Sequence, residues 1–253
     1  MFKRTGLRIT KRLIHDVPKL KGQYKYETSG IEGLYSPEGF KGAWTDYQKF
    51  LTMNLTLLTN GTENEFKSPY QILLNTAKQT TEQHIFHYAS QAHNNHFVFQ
   101  QLTNKSEASK TQPSRNLMGR INDMGFKNLQ ELYDQIVKLS ETMNGQGWIF
   151  LVENPDKSLK LIQCNNDGTP YFYGKNQSLD LNGGISEQTY EKYLELKNQV
   201  EENSRDFTLP ILGINLWDHA YINDYGINGR EEYLKNLWSS LNWDVINGRL
   251  FEL

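Results

Sequence analysis

Imidazole is the side chain best suited to metal ligation near neutral pH. Four of the six histidines in this chain, His84, His87, His93 and His96, fall within one short stretch. Paired imidazoles on one helix are a starting point for a transition-metal site. On a helix advancing about 100° per residue, the four rings point near 0°, 300°, 180° and 120°. His84 and His87 then face roughly away from His93 and His96, so one helix offers two weak pairs and no four-ligand cage. A second place of chemical interest is Asp218-His219, where a carboxylate and an imidazole are adjacent. The single cysteine, Cys164, permits no intrachain disulfide.

The elements that must position these groups are legible from caps and periodicity. Ser36 is a good N-cap, Pro37 suits the first helical position, and Glu38 favours the positive helix end. The run Phe40, Trp44, Tyr47, Leu51, Leu55, Leu58 traces one apolar helical face and stops near Asn60-Gly61. Helical patterns follow at about 70–77 and 82–102. A polar stretch at 104–114 ending in Pro113-Ser114 reads as a linker. Helices are expected at about 114–123 and 128–143. The period then changes: 147–153 and 158–164 flank Asn154-Pro155-Asp156-Lys157 as a hairpin, and 209–217 reads as a third, buried strand. Helices at about 218–225, 229–240 and 243–249 close the chain. Helices, then a short sheet, then helices predict an α+β fold.

The stretch 213–250 is similar to the C-terminal signature of iron/manganese superoxide dismutases. Trp217, His219-Ala220-Tyr221, Asp224-Tyr225, Tyr233-Leu234, Trp238 and Asn242-Trp243 stand at that family's spacing. Gly147-Trp148 with Leu151-Val152 resembles its first strand. Asn166 with Gly168-Thr169-Pro170 resembles its N-x-G-T-P turn, and Gln112-Pro113-Ser114 the entry to its second domain. The resemblance spans about residues 31 to 250. It implies a helical hairpin over 31–107 and a C-terminal domain over 108–253 with helices around a three-stranded antiparallel sheet. An insertion at 174–205 exceeds the family's connection.

The family's enzymes hold one iron or manganese with three His and one Asp. The resemblance places those ligand positions at Ala43, His96, Asn215 and His219; a one-residue shift would put Asn95 in place of His96. Ala43 has no donor atom, and Asn215 offers only a neutral carbonyl. At most two imidazoles remain, too few for a firm site. The resemblance places the family's gateway His and Tyr of helix one at Tyr47 and Leu51, its Tyr after H-A-Y at Ile222 and its outer-sphere Gln at Asp167, so the surrounding shell has changed as well. The expectation is a protein without cofactor, metal or catalytic residues. Residual dismutase activity and a free mitochondrial pseudoenzyme scaffold are the alternatives.

Metal-site-deficient relatives of this fold resemble one group, the dismutase-like proteins of the fungal mitochondrial small ribosomal subunit. Their helix-one pattern matches Ser36, Pro37, Gly39, Phe40, Ala43, Trp44, Tyr47 and Gln48. The resemblance implies a structural role in the mitochondrial matrix, beside small-subunit proteins and a second dismutase-like chain as heterodimer partner. In the enzymes the acidic residue before the last ligand His pairs across the dimer interface. Asp218 and His219 are therefore the candidate interface residues; capping of the following helix by Asp218 is the simpler role.

Charge is distributed unevenly. The chain has a net charge of -2, yet residues 1–30 carry +6 and the remainder -8. A basic, acid-poor start with interspersed Phe2, Leu7, Ile9, Leu13 and Ile14 resembles a mitochondrial targeting segment; a basic arm on RNA phosphates and a solvated terminus are the other readings. A pI near 6.3 argues against a body that binds mostly phosphate, so any rRNA contact is expected at the N-terminus. In the insertion, Ser186 starts a helix expected to run to about Glu201. Its acidic face suits protein contact better than rRNA contact. No stretch approaches the ~20 apolar residues of a membrane span.

Overall fold

The computed structural model describes residues 14–77, 79–171 and 208–250. The basic segment as far as residue 13 and the insertion with its expected helix lie outside the described residues. The elements, in order, are α1 (Gln23–Ser29), α2 (Pro37–Phe40), a π-helical segment (Lys41–Asp46), α3 (Tyr47–Thr59), α4 (Pro69–Thr76), α5 (Gln83–Gln100), α6 (Lys105–Ala108), α7 (Arg115–Asp123) and α8 (Leu129–Thr142). A sheet of β1 (Gly147–Glu153), β2 (Leu159–Asn165) and β3 (Leu209–Asn215) follows, and α9 (Ile222–Tyr225), α10 (Arg230–Ser239) and α11 (Trp243–Arg249) close the chain.

Ser36 caps α2 as its chemistry dictates, its Oγ accepting from the Gly39 N–H at 2.9 Å. Phe40, Trp44, Leu51 and Leu55 are fully buried along the continuous rod of α2, the π segment and α3. The rod ends at Asn60, with Gly61 at φ 74° reversing the chain. Ser68 begins α4 with a capping box that includes Gln71; α5 then packs back onto α3, with α4 against α5. Two expectations are revised. The packed body starts well before Ser36, because α1 and buried Leu20 and Tyr26 lie within the expected 1–30 extension. The 104–114 linker contains the short helix α6.

The sheet is antiparallel with order β2-β1-β3. Central β1, the first strand of the expected hairpin, is buried along its whole length. Its register runs from Gly147 opposite Asn165 to Glu153 opposite Leu159 on one side. On the other side the pairing with β3 shifts between Leu151 and Val152, where Pro210 enters the ladder. Edge strand β3 is tied to α5 through Gln101, whose amide donates to the Gly213 carbonyl and accepts from its N–H at 3.2 Å. Arg249 of α11 donates to Gln101 Oε1 at 2.8 Å, to Ile211 O at 3.0 Å and to Phe97 O at 2.7 Å.

The start of the rod is fixed by a second knot. The Asp224 carboxylate accepts from the Ser36 N–H at 2.8 Å and its hydroxyl at 2.6 Å. This approach requires Gly39, since a Cβ there would meet the carboxylate. Gly39→Ala is expected to displace Asp224 and cost about 2 kcal/mol, a fall of about 4–8 °C in Tm. Gly119→Ala, on the exposed face of α7 where a Cβ meets nothing, should instead leave Tm unchanged or raise it slightly. Thermal melts of the two variants check both.

Candidate functional site

The rod, α5, β3 and the turn after β3 meet at a buried cluster of neutral polar side chains. Ala43 comes from the π segment and presents only a buried methyl group. Facing it on α5 is Asn95, fully buried, whose Nδ2 donates to the Ala43 carbonyl at 3.3 Å and to Gln48 Oε1 at 3.1 Å. Gln48 in turn donates to the Ala92 carbonyl at 2.9 Å. Asn215, the last residue of β3, donates to Asn95 Oδ1 at 3.3 Å and approaches His219 Nε2 at 3.4 Å. Its own Oδ1 accepts from the Trp217 N–H at 2.9 Å.

Of the four positions placed by resemblance, Ala43, Asn215 and His219 converge here. His96 does not. It lies one residue around α5, its ring tilted against Trp44 at 5.8 Å, and Asn95 occupies the fourth corner. Both were open from the sequence. The physical reason is helical phase: Asn95 shares a face with buried Gln91, Val98 and Phe99, whereas His96 is turned by about 100°.

The cluster carries no formal charge, and the amides of Gln48, Asn95 and Asn215 all donate within it. Asn215 Nδ2 can only donate, so His219 Nε2 is the acceptor and Nδ1 holds the ring proton. Tyr47 closes the site, its ring stacked on His219 at 3.6 Å and 25°, with its hydroxyl donating to Gln91 Oε1 at 3.2 Å. Gln91 donates to the Asn166 carbonyl at 3.1 Å, which also accepts from the indole N–H groups of Trp148 and Trp217 at 3.1 and 3.3 Å. A redox metal needs lone pairs and compensating negative charge. These residues do not fit one: the aligned corners supply a methyl group, two neutral amides and one imidazole whose acceptor nitrogen is occupied. Among the described residues no group of three or more His, Cys, Asp or Glu is placed to hold a metal ion.

The other histidines disperse. His93 is hydrogen-bonded to the Tyr171 hydroxyl at 2.7 Å, His87 pairs with Asp167 at 3.6 Å, and His84 is exposed. Sequence reasoning missed Gln48 and Gln91 as members of the network. The available signal was the recurrence of amides, Gln91 and Asn95, at i,i+4 on an otherwise apolar face of α5.

Asp218 and His219 sit on the turn after β3. Asp218 does not cap the helix that follows. Its two oxygens accept from Gln146 Nε2 at 2.7 Å and from the Tyr221 hydroxyl at 2.9 Å.

Burial makes these rings pH-sensitive. It pushes His219 from its ordinary 6.5 down to about 3. Burial, helped by His96 and Arg249, holds His93 at about 3, and burial with Arg249 holds His96 at about 4. Folded values below the unfolded one mean that the unfolded chain binds more protons at mildly acid pH. Stability is therefore full above about pH 6.5 and is lost as pH falls toward the folded values, by up to about 1.4 kcal/mol per pH unit per ring. Tm should drop between pH 7 and pH 5, and His219→Gln should flatten the slope; a Tm independent of pH would show that the rings are not held neutral.

A family model described as iron/manganese superoxide dismutases, C-terminal domain, matches residues 113–197 and 184–249. The small ribosomal subunit protein mS43 of Schizosaccharomyces pombe is 30% identical over 242 residues, covering 93% of this chain and 84% of the relative. The small ribosomal subunit protein mS42 of the same organism is 28% identical over 194 residues, covering 74% and 76%. A Mn/Fe superoxide dismutase of Porphyromonas gingivalis is 26% identical over 224 residues, covering 88% and 95%. With the helical rod, the three-stranded sheet and the turn bearing His219 in the arrangement that the resemblance implied, the chain belongs to the iron/manganese superoxide dismutase family.

Proposed function

We propose that this chain is a structural, non-catalytic constituent of the small subunit of the mitochondrial ribosome. The observation that carries the reading is the amide cluster at Ala43, Asn95, Asn215 and His219, where a neutral, hydrogen-bonded set stands in place of a charged ligand shell. Similarity to mS43 along nearly the whole chain supports the ribosomal role over a free scaffold. The location is the mitochondrial matrix, and the chain acts there without cofactor.

The finer reading is a heterodimer with a second dismutase-like small-subunit protein across the face that bears Asp218 and His219. Two features support it. Gln146 and Tyr221 hold the Asp218 carboxylate in place. His219 has Nε2 occupied, which leaves the Nδ1 proton for an acceptor, and no described residue of this chain takes it. Contact with rRNA is limited to the basic N-terminal region, where exposed Lys19, Lys21 and Lys25 lie on the body itself, and protein neighbours hold the rest.

Sedimentation of mitochondrial lysate on a sucrose gradient, with manganese and iron measured in the same fractions, tests the main reading. Metal-free co-migration with the small subunit is expected. A light, metal-loaded dimer would overturn it in favour of dismutase activity, and a light metal-free species would favour a free scaffold. For the pairing, Asp218→Ala combined with His219→Ala should reduce co-purification of the partner by about tenfold or more; unchanged recovery would refute the interface.

A further inference from the structure

Charge and packing change at the same point near the start of the chain. Every ionisable side chain in residues 1–13 is a cation: Lys3, Arg4, Arg8, Lys11 and Arg12. The first acid is Asp16, and the first buried side chain of the described residues is His15, 6% exposed. Its backbone N–H donates to Thr56 Oγ1 at 3.0 Å, and its ring Nε2 lies 2.8 Å from Thr59 Oγ1.

The two threonines fix the direction of these bonds. Thr56 Oγ1 donates to the Thr52 carbonyl at 2.9 Å and Thr59 Oγ1 to the Leu55 carbonyl at 2.8 Å. Each hydroxyl proton is therefore committed to the helix, and each oxygen accepts from His15, which must carry its ring proton on Nε2. Val17 packs on the main core, and Leu20 is buried. The Leu20 carbonyl accepts from the Gln23 N–H at 3.1 Å as α1 begins. Residues 15–20 thus form a strap, held to α3 at His15 and to the main core at Val17 and Leu20, that belongs to the body.

We propose that the residues upstream of His15 are a removable leader, cut by an endopeptidase at one of the bonds between Arg12 and His15. The proposal rests on the mitochondrial reading above. The step is a hydrolysis: water adds across one peptide bond, the released peptide leaves with a new carboxylate, and the body keeps a new α-amino group. The upstream limit is the end of the cationic run at Arg12. The downstream limit is His15, because cutting beyond it removes the donor from Thr56 and Thr59 and uncovers that side of α3.

The N-terminus of the protein isolated from mitochondria through a C-terminal tag, read by sequencing and intact mass, tests this. Leu13, Ile14 or His15 as first residue is expected. A first residue before Leu13 or after His15, or intact protein inside mitochondria, overturns the leader proposal alone. Intact protein found only outside mitochondria overturns the organelle reading with it. Purified chains give a second readout. Deleting residues 1–12 should leave Tm within about 1 °C, and deleting 1–18 should lower it by about 5 °C or more. Equal melting of the two truncations would remove the strap from the body and the downstream limit with it.

Discussion

The hydrogen bond between Asn95 and Asn215 is the contact on which the junction of the two halves depends. It joins α5 to the end of β3 at a point sealed from water. In the enzymes of this fold a cation would pull the same elements together. A metal shell gains cohesion from charge, and it needs an anionic ligand to balance that charge in a low-dielectric site. A neutral amide pair needs no such balance. It contributes only about 0.5–1.5 kcal/mol per bond, but losing one partner strands a buried polar group at a cost of about 1–3 kcal/mol. The changes at the corners are therefore coupled. A carboxylate at 215 without a cation would be a buried, uncompensated charge, and an imidazole at 95 could not make the three bonds of the Asn95 amide.

This bond is one rung of a longer polar seam. Along α5, Ser90 donates to the Asp167 carbonyl at 2.7 Å, Gln91 to Asn166 at 3.1 Å and Asn94 to Gly168 at 3.0 Å. Asn95 then meets Asn215, and Gln101 meets Gly213. One face of a single helix thus satisfies backbone groups of the turn after β2 and of the open edge of β3. Directional bonds at five points fix the helix in rotation and translation more tightly than apolar packing does. That explains how the hairpin keeps its docking on the sheet with Ala43 in the rod.

Most of the architecture was legible because it rests on local signals. Ser36-Pro37 and Asn60-Gly61 announce helix ends, and the apolar run of 147–153 announces a strand. The features that escaped are those set by tertiary contact. Helix α1 buries only Tyr26 and has neither an acidic first turn nor a side-chain cap, so no period or cap marks it. The π segment at Lys41–Asp46 is invisible because the spacing of Phe40, Trp44 and Tyr47 suits an α-helix equally well. The choice between Asn95 and His96 is a matter of one residue of helical phase, and both are polar. Only the buried positions three and four residues away settle it.

The aromatic lid carries the same logic one step outward. Tyr47 lies flat on His219 and reaches through Gln91 to the carbonyl of Asn166, which also receives Trp148 and Trp217. An enzyme that turns over a small anion must keep a path from solvent to its metal and a proton donor beside it. Here the place over the imidazole is filled by a phenol ring committed to a structural hydrogen bond, with burial raising its pKa well above the usual range. A group that gives up its proton so reluctantly is a poor acid at neutral pH. The stacked ring and the neutral cluster thus act in one direction: phenol, imidazole and amides are tied to one another and to the Asn166 carbonyl, so that α3, α5 and the turn after β3 are joined by directional contacts that involve no ionised group.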